Sequence, residues 1–149
     1  MANKRRIVVV DDNRDILNSV GKILEAKGYK VYLFENGHDC LNYLNETKKP
    51  PSLIILDIMM PLLSGWEIYR RIQDMNNLNH VPILFLTARS TSTAIDMYDR
   101  YGVEYIIKPF DVKNLQDNVE RIIVSREELV RTKKKYGFFT KPETETVAS

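Results

Sequence analysis

The chain has 149 residues, of which 44% are hydrophobic and 28% are charged, and its formal net charge is +2. This size suits one compact domain, and the composition excludes the disordered, fibrous and membrane classes of protein. No apolar run approaches the roughly 18 to 20 residues that a transmembrane helix needs, so we expect no membrane partner. The lone cysteine, Cys40, cannot form an internal disulfide, and we expect the chain to be cytoplasmic.

The chain opens with a predicted strand and a predicted helix. Residues 7–10 form a short β-branched run, typical of a strand buried on both faces, and the run stops at Asp11 and Asp12. Apolar residues then recur at helical spacing over residues 16–24, and Gly28 follows at a position suited to a helix cap. This first strand and helix therefore both face a core.

The rest of the chain repeats this alternation of strand and helix. Apolar runs predict further strands at residues 31–34, 53–56, 83–86 and 105–107. Helical spacing, caps and glycines predict further helices at residues 40–44, after Ser64, between Arg89 and Gly102, and after Asp111. Five strands that alternate with five helices indicate an α/β fold, with a parallel sheet covered on both faces.

Polar side chains stand at the carboxyl ends of four predicted strands. Asp11 and Asp12 follow the first strand, Asp57 ends the third, Thr87 the fourth and Lys108 the fifth. Open sheets of this kind bind ligands outside the carboxyl ends of their strands, so we expect these side chains to converge in one crevice. Three carboxylates would repel one another unless a cation lay among them, and oxygen ligands favour Mg²⁺ or Mn²⁺.

Such a crevice has the groups that phosphoryl transfer requires. Asp57 is our candidate nucleophile, while Lys108, Thr87 and the cation would hold the equatorial phosphoryl oxygens. Each residue also has a structural interpretation: Asp12 and Thr87 as helix caps, and Asp57 and Lys108 as turn residues. Because all four strand ends carry a suitable residue, we predict that the set is functional.

Four motifs then resemble the receiver domains of two-component response regulators. They are VVVDDN at residues 8–13, LDIMMP at 56–61 with Gly65 eight residues after Asp57, LTA at 86–88 and YIIKPF at 105–110. The resemblance covers residues 4 to about 124. It implies a flavodoxin-like, doubly wound, five-stranded parallel sheet with strand order 2-1-3-4-5. We predict a receiver domain over residues 1–124, followed by a helical extension and disordered tail over residues 125–149.

The resemblance also implies a role for each residue of the crevice. Asp57 matches the phosphoacceptor of the family. Asp12, Asp57 and the carbonyl of Met59 match the direct metal ligands, and Asp11 would act mainly through a bound water. These matches predict a site for Mg²⁺ or Mn²⁺ that is completed when a phosphoryl group arrives.

Three further residues match the family's switch. Lys108 matches the lysine that bridges to the phosphoryl group, and the bond from Lys108 to Pro109 is expected to be cis. Thr87 matches the hydroxyl that moves toward the phosphoryl group after phosphorylation. Tyr105 matches the aromatic that turns inward in response, although plain packing of Tyr105 is an open alternative.

The function that the resemblance implies is a phosphoacceptor signalling domain, which assists its own phosphorylation and dephosphorylation, rather than an enzyme. A sensor histidine kinase or a phosphotransfer protein would supply the phosphoryl group in phosphorelay signal transduction. The face made by helix 4, strand 5 and helix 5 would then control a partner protein or form a homodimer. An alternative is the severed receiver half of a DNA-binding response regulator.

Two other functions fit the sequence less well. A hydrolase resembling the haloacid dehalogenase family needs a second aspartate two residues after the nucleophile, and Met59 occupies that position. A flavin-binding protein needs a phosphate loop rich in Ser, Thr and Gly after strand 1, which this chain lacks. Six basic and four acidic side chains follow residue 124, but no nucleic-acid motif accompanies them. We therefore expect no nucleic-acid partner within this chain, and a solvated continuation of the last helix.

Overall fold

The computed structural model of the protein describes residues 4–88, 96 and 99–136. Its five strands are β1 (Arg6–Val10), β2 (Lys30–Phe34), β3 (Leu53–Leu56), β4 (Ile83–Thr87) and β5 (Glu104–Ile107). Its helices include α1 (Arg14–Glu25), α2 (Gly37–Glu46), α3 (Gly65–Gln73) and α5 (Val112–Tyr136). Between β4 and β5, Asp96 and residues 99–101 are helical, and we number this helix α4.

All strands pair in parallel in one sheet with the order β2-β1-β3-β4-β5. The α/β class, the doubly wound topology and the predicted strand order 2-1-3-4-5 are therefore confirmed. β3 and β4 are buried along their whole length, and β1 is buried from its second residue onward. Their continuous apolar runs follow from this, because helices cover both faces of the sheet.

The sheet separates two hydrophobic cores. One core lies on the side of α2 and α3, where Leu44 and Ile68 pack toward Phe85 of β4. The other lies on the side of α1 and α5, where Leu24 and Leu115 join the apolar side chains that point to the opposite face of the sheet. Successive residues of each buried strand point into opposite cores. The strands therefore hold the helices on both faces of the sheet at fixed positions.

Side-chain caps fix where the helices begin. The side chain of Asn13 accepts the N–H three residues later at 3.1 Å and caps α1. The structural interpretation of Asp12 as this cap is therefore wrong. Ser64 and Glu67 form the predicted capping box of α3, with reciprocal hydrogen bonds of 3.2 and 3.1 Å. Asp111 accepts a backbone N–H at 3.1 Å at the start of α5, as predicted.

The last helix is longer than the sheet that it covers. α5 has 25 residues and continues without interruption past residue 124, the predicted domain boundary. The predicted disordered end at residues 140–149 and the polar run at residues 89–93 lie outside the described residues. No helix in the described part of the chain is both long enough and apolar enough to cross a membrane.

Candidate functional site

Backbone hydrogen bonds bring the four polar strand ends together. The Asp57 N–H donates to the carbonyl of Val10 at 3.0 Å, so that Asp57 lies beside the end of β1. The Lys108 N–H donates to the carbonyl of Thr87 at 2.8 Å at the other side of the crevice. The crevice therefore forms where the ladders of β1, β3, β4 and β5 run out, as predicted from the sequence.

The three carboxylates of the crevice form one cluster. Asp11, Asp12 and Asp57 each have a carboxylate oxygen within 4.8 Å of the other two. Asp11 and Asp57 are buried, with 2% and 5% of their surfaces exposed, whereas Asp12 is exposed. The predicted acidic cluster is therefore present, and Asp12 marks its open side.

Lys108 lies against the buried pair of carboxylates. Its Nζ is 2.7 Å from Oδ2 of Asp11 and 3.5 Å from Oδ2 of Asp57. Backbone N–H groups also hold the two acids: that of Asn13 donates to Asp11 at 2.9 Å, and that of Met59 donates to Asp57 at 3.3 Å. The two buried carboxylates are thus held in place by the strand ends and by their own turns.

The electrostatics of the crevice favour an additional cation. Burial and the charge of Asp11 raise the pKa of Asp57 from 3.8 to about 6, and Asp12 adds to this. The Lys108 ammonium and the Met59 N–H act in the opposite direction without cancelling the effect. One ammonium among three carboxylates leaves negative charge in excess, so a divalent ion would relieve the repulsion.

The donor set suits a hard cation. The cluster offers oxygen atoms alone, which Mg²⁺ and Mn²⁺ prefer to nitrogen or sulfur. Met59 follows Asp57 in the loop before α3, and its side chain is exposed. The role of the Met59 carbonyl as a metal ligand stays a prediction.

The two predicted switch residues lie on neighbouring strands. Thr87 is fully buried at the end of β4, where it pairs with Ile107 of β5. Tyr105 is half-buried, pairs with Phe85 and packs against the core beside α2 and α3. The Lys108–Pro109 bond is cis, as predicted. A movement of Thr87 or Tyr105 stays a prediction.

Gly65 has a positioning role that sequence reasoning missed. A Cβ atom at Gly65 would lie 2.1 Å from the carbonyl oxygen of Asp57 and 2.9 Å from Cα of Ile58. The first turn of α3 can therefore pack on the backbone of the loop after β3 only when this residue has no side chain. The fixed spacing of Gly65 from Asp57 was the available signal, but spacing alone gives no physical reason for it.

The family model described as "Response regulator receiver domain" matches residues 7–120, which include every residue of the crevice. The response regulator MprA of Mycolicibacterium vanbaalenii is 36% identical over 111 residues, which are 74% of this chain and 46% of MprA. A probable transcriptional regulatory protein of Picosynechococcus is 32% identical over 138 residues, which are 89% of this chain and 54% of that protein. The chain thus spans about half the length of these relatives.

A solved structure extends the similarity to three dimensions. The receiver domain of the sensor histidine kinase PA1611 from Pseudomonas aeruginosa is 27% identical and superposes with a TM-score of 0.72. The match covers 81% of this chain and 98% of that domain, which was solved with a magnesium ion coordinated in its active-site cleft. The fold, the crevice and these matches lead to one conclusion: the chain belongs to the response regulator receiver domains, the signalling domains of two-component systems.

Proposed function

We propose that this chain accepts a phosphoryl group on Asp57 from a sensor histidine kinase or a phosphotransfer protein, and that it acts as a switch in phosphorelay signal transduction. One observation carries the proposal. The Asp57 carboxylate is buried at a strand end, with the Lys108 ammonium 3.5 Å away and two further carboxylates beside it. This arrangement supplies a nucleophile, a fixed positive charge and a place for a cation.

The proposed transfer needs little covalent chemistry from the protein. An oxygen of the Asp57 carboxylate forms a bond to phosphorus while the bond from phosphorus to the donor imidazole breaks, and the imidazole nitrogen keeps that electron pair. With a pKa of about 6, Asp57 is ionised at neutral pH and can act as the nucleophile. Lys108, which pairs with Asp11 at 2.7 Å, is in reach of an oxygen of the transferred group.

Asp11, Asp12 and Asp57, with the carbonyl of Met59, would hold the cation. Bound Mg²⁺ or Mn²⁺ would supply positive charge to the phosphoryl oxygens. The magnesium ion in the PA1611 receiver supports this part of the proposal. In this chain the exposed side of Asp12 gives the ion a route into the cluster.

We further propose that the phosphoryl group acts on a partner through the face made by α4, β5 and α5. Thr87 and Tyr105 lie on the paired strands β4 and β5, so a shift of Thr87 toward the phosphoryl group can be passed to Tyr105. The phosphorylated face would then bind a protein partner or form a homodimer. We place this switch in the cytoplasm, where sensor kinases hold their phosphohistidine.

The severed receiver half of a DNA-binding regulator is a second candidate. It is favoured by the length of the relatives, since this chain spans 46% of MprA and 54% of the Picosynechococcus protein. The genomic reading frame after Ser149 tests it. A frame that continues into a DNA-binding domain would support this candidate, and a stop codon directly after Ser149 would reject it.

The proposed function is tested by phosphorylation in vitro. The whole chain is incubated with Mg²⁺ and acetyl phosphate, and its intact mass is measured over time. We expect one added phosphoryl group on the wild type and none on Asp57→Asn. Asp74→Asn is the matched control, because Asp74 is an exposed carboxylate at the far end of α3. Uptake by Asp57→Asn at the wild-type rate would reject the proposal.

A further inference from the structure

The end of α5 extends beyond the domain that its first half covers. The buried residues of this helix are Leu115, Val119, Ile122 and Ile123. After Ile123 the helix continues to Tyr136, which is about 20 Å at the rise of an α-helix, and no residue described in that stretch is buried. We call residues 124–136 the overhang. It lies at the amino ends of the strands, whereas Asp57 lies at their carboxyl ends.

The apolar stripe of α5 continues along the overhang without a partner. Leu129 and Val130 follow Ile122 and Ile123 at helical spacing, and they are 48% and 49% exposed. Val130 faces an open groove of about 530 Å³ between the overhang and the loops that precede β3 and β4. Pro50, which is exposed, contributes apolar surface from those loops. The groove therefore presents apolar side chains on both of its walls.

Basic side chains surround the groove, and the acids of the overhang are already paired. Glu127 accepts a bidentate hydrogen bond from Arg5 at 2.6 and 2.9 Å, and Glu128 pairs with Arg131 at 3.1 Å. Arg126 and Lys134 also line the groove, and neither has a carboxylate within 4.0 Å among the described residues. Arg126 is half-buried there and stays charged. The groove thus combines an apolar floor with unbalanced positive charge.

We propose that this groove binds an acidic amphipathic segment of a protein partner, an interaction that goes beyond the switch proposed for Asp57. Apolar side chains of the segment would contact Val130 and Pro50, and its carboxylates would pair with Arg126 and Lys134. A half-buried guanidinium without an acid is the type of group that a partner carboxylate stabilises most. The bidentate pair between Arg5 and Glu127 connects the start of the overhang to the residues before β1.

Charge argues against a second copy of the chain as the occupant. The face of the overhang that lines the groove carries Arg126, Val130 and Lys134. A parallel pair of overhangs would place each of these cations opposite its own copy. An antiparallel pair would place Arg126 near the lysines of the other helix. Both arrangements bring like charges together, whereas an acidic segment neutralises them.

The test uses the whole chain and synthetic helical peptides. The acidic peptide has leucines on one face and glutamates on the other. One comparison peptide carries lysine for every glutamate, and a second carries serine for every leucine. Fluorescence anisotropy gives the affinities, and ¹⁵N NMR maps the binding site. We expect the acidic amphipathic peptide alone to bind and to shift the resonances of residues 123–134 and of the loops before β3 and β4.

Variants then test the groove itself. Val130→Ser and Arg126→Gln should each weaken binding of the acidic peptide by about fivefold or more. Val124→Ser is the matched control, because Val124 is 45% exposed on the same helix and lines a different groove, beside Tyr29. This control should bind like the wild type. Circular dichroism confirms that each variant is folded.

Four results would overturn the proposal. They are equal affinity of the wild type for the acidic and the lysine peptide, wild-type affinity in both Val130→Ser and Arg126→Gln, and self-association in sedimentation that Val130→Ser abolishes. The fourth is binding to vesicles of phosphatidylcholine with one quarter phosphatidylglycerol in the absence of peptide binding. The last two results would assign the overhang to a second copy or to a lipid surface instead.

Discussion

At the residue scale, the crevice is built around the Asp57 carboxyl group, whose ionised form is destabilised by its surroundings. Asp57 is buried beside Asp11, and its pKa rises to about 6 although Lys108 is 3.5 Å away. The folded protein therefore holds the Asp57 proton more tightly than the unfolded chain does. Stability without a cation falls as the pH rises from about 4 to about 6, and the loss is complete above that range.

Because ionisation of Asp57 lowers the stability of the folded protein, we make a prediction for Asp57→Asn in the absence of divalent ions. At about pH 7.5 we expect the variant to have a free energy of unfolding higher than that of the wild type by roughly 1 to 3 kcal/mol. Near pH 3.5 the difference should fall to a few tenths of a kcal/mol, because Asp57 is then largely protonated in both states. Urea denaturation in EDTA measures both values. A variant that is no more stable than the wild type at about pH 7.5 would contradict the assigned electrostatics.

Asp12 is predicted to matter more for the cation than for the fold. It is the exposed member of the cluster, and it adds to the repulsion that raises the Asp57 pKa. Asp12→Ala should raise the melting temperature without Mg²⁺ and weaken Mg²⁺ binding by about tenfold or more. Asp15→Ala, which removes an exposed carboxylate outside the cluster, should bind Mg²⁺ like the wild type. Calorimetric titration decides, and unchanged affinity in Asp12→Ala would remove Asp12 from the metal site.

At the scale of elements, the contact between α3 and the loop after β3 sets the shape of the crevice. Gly65→Ala would bring a Cβ atom to 2.1 Å from the Asp57 carbonyl, so α3 must move away. We expect a loss of roughly 2 to 4 kcal/mol in stability and slower phosphorylation. Gly28→Ala is the control, since Gly28 has a φ of 93° but open space around it. That change should cost about 1 to 2 kcal/mol. Equal losses in the two variants would reject the steric role of Gly65.

The coupling of β4 to β5 gives a second prediction at this scale. Thr87→Ala should still take up the phosphoryl group, because Asp57 and Lys108 are unchanged. It should lose most of the response of Tyr105, because the hydroxyl that would move toward the phosphoryl group is absent. NMR of the wild type and the variant, each with and without beryllofluoride, measures this response. Equal shifts of the β5 and α5 resonances in both proteins would show that Thr87 does not couple the site to the face.

Much of this element structure could be predicted from residue patterns. The apolar runs of β1, β3 and β4 mark buried strands, and the spacing from Ser64 to Glu67 marks the start of α3. The strand order came from the family resemblance, because patterns along a chain do not state which strands pair. The cap of α1 was missed, since the sequence suggested Asp12 as a possible cap and the structure shows that Asn13 caps the helix.

Details of the site were harder to predict because they depend on distances. The residue types of the crevice follow from the strand ends, but the choice of Asp11 as the closest partner of Lys108 does not. That choice depends on the conformations of side chains separated by 97 residues along the chain. The same holds for Gly65, whose role appears only when α3 is packed against the backbone of Asp57.

At the scale of the whole molecule, the two ends of the parallel strands carry opposite charge. The carboxyl ends of the strands hold the acidic cluster, and the amino ends hold the basic groove beside the overhang of α5. We propose different ligands for the two ends: a cation with a phosphoryl group at the carboxyl ends, and an acidic segment at the amino ends. The proposed output face, made by α4, β5 and α5, is a third surface and runs along the sheet between these ends.

The proposed switch requires that Asp57, and no other carboxylate of the cluster, takes the phosphoryl group. The most direct measurement is to phosphorylate the chain with acetyl phosphate and Mg²⁺, reduce the acyl phosphate with borohydride, and locate the reduced residue by peptide mass spectrometry. We expect reduction to convert Asp57 alone, and we expect no signal without Mg²⁺ or in Asp57→Asn. Conversion of Asp11 or Asp12 in place of Asp57, or no conversion of any of the three, would contradict the proposed switch.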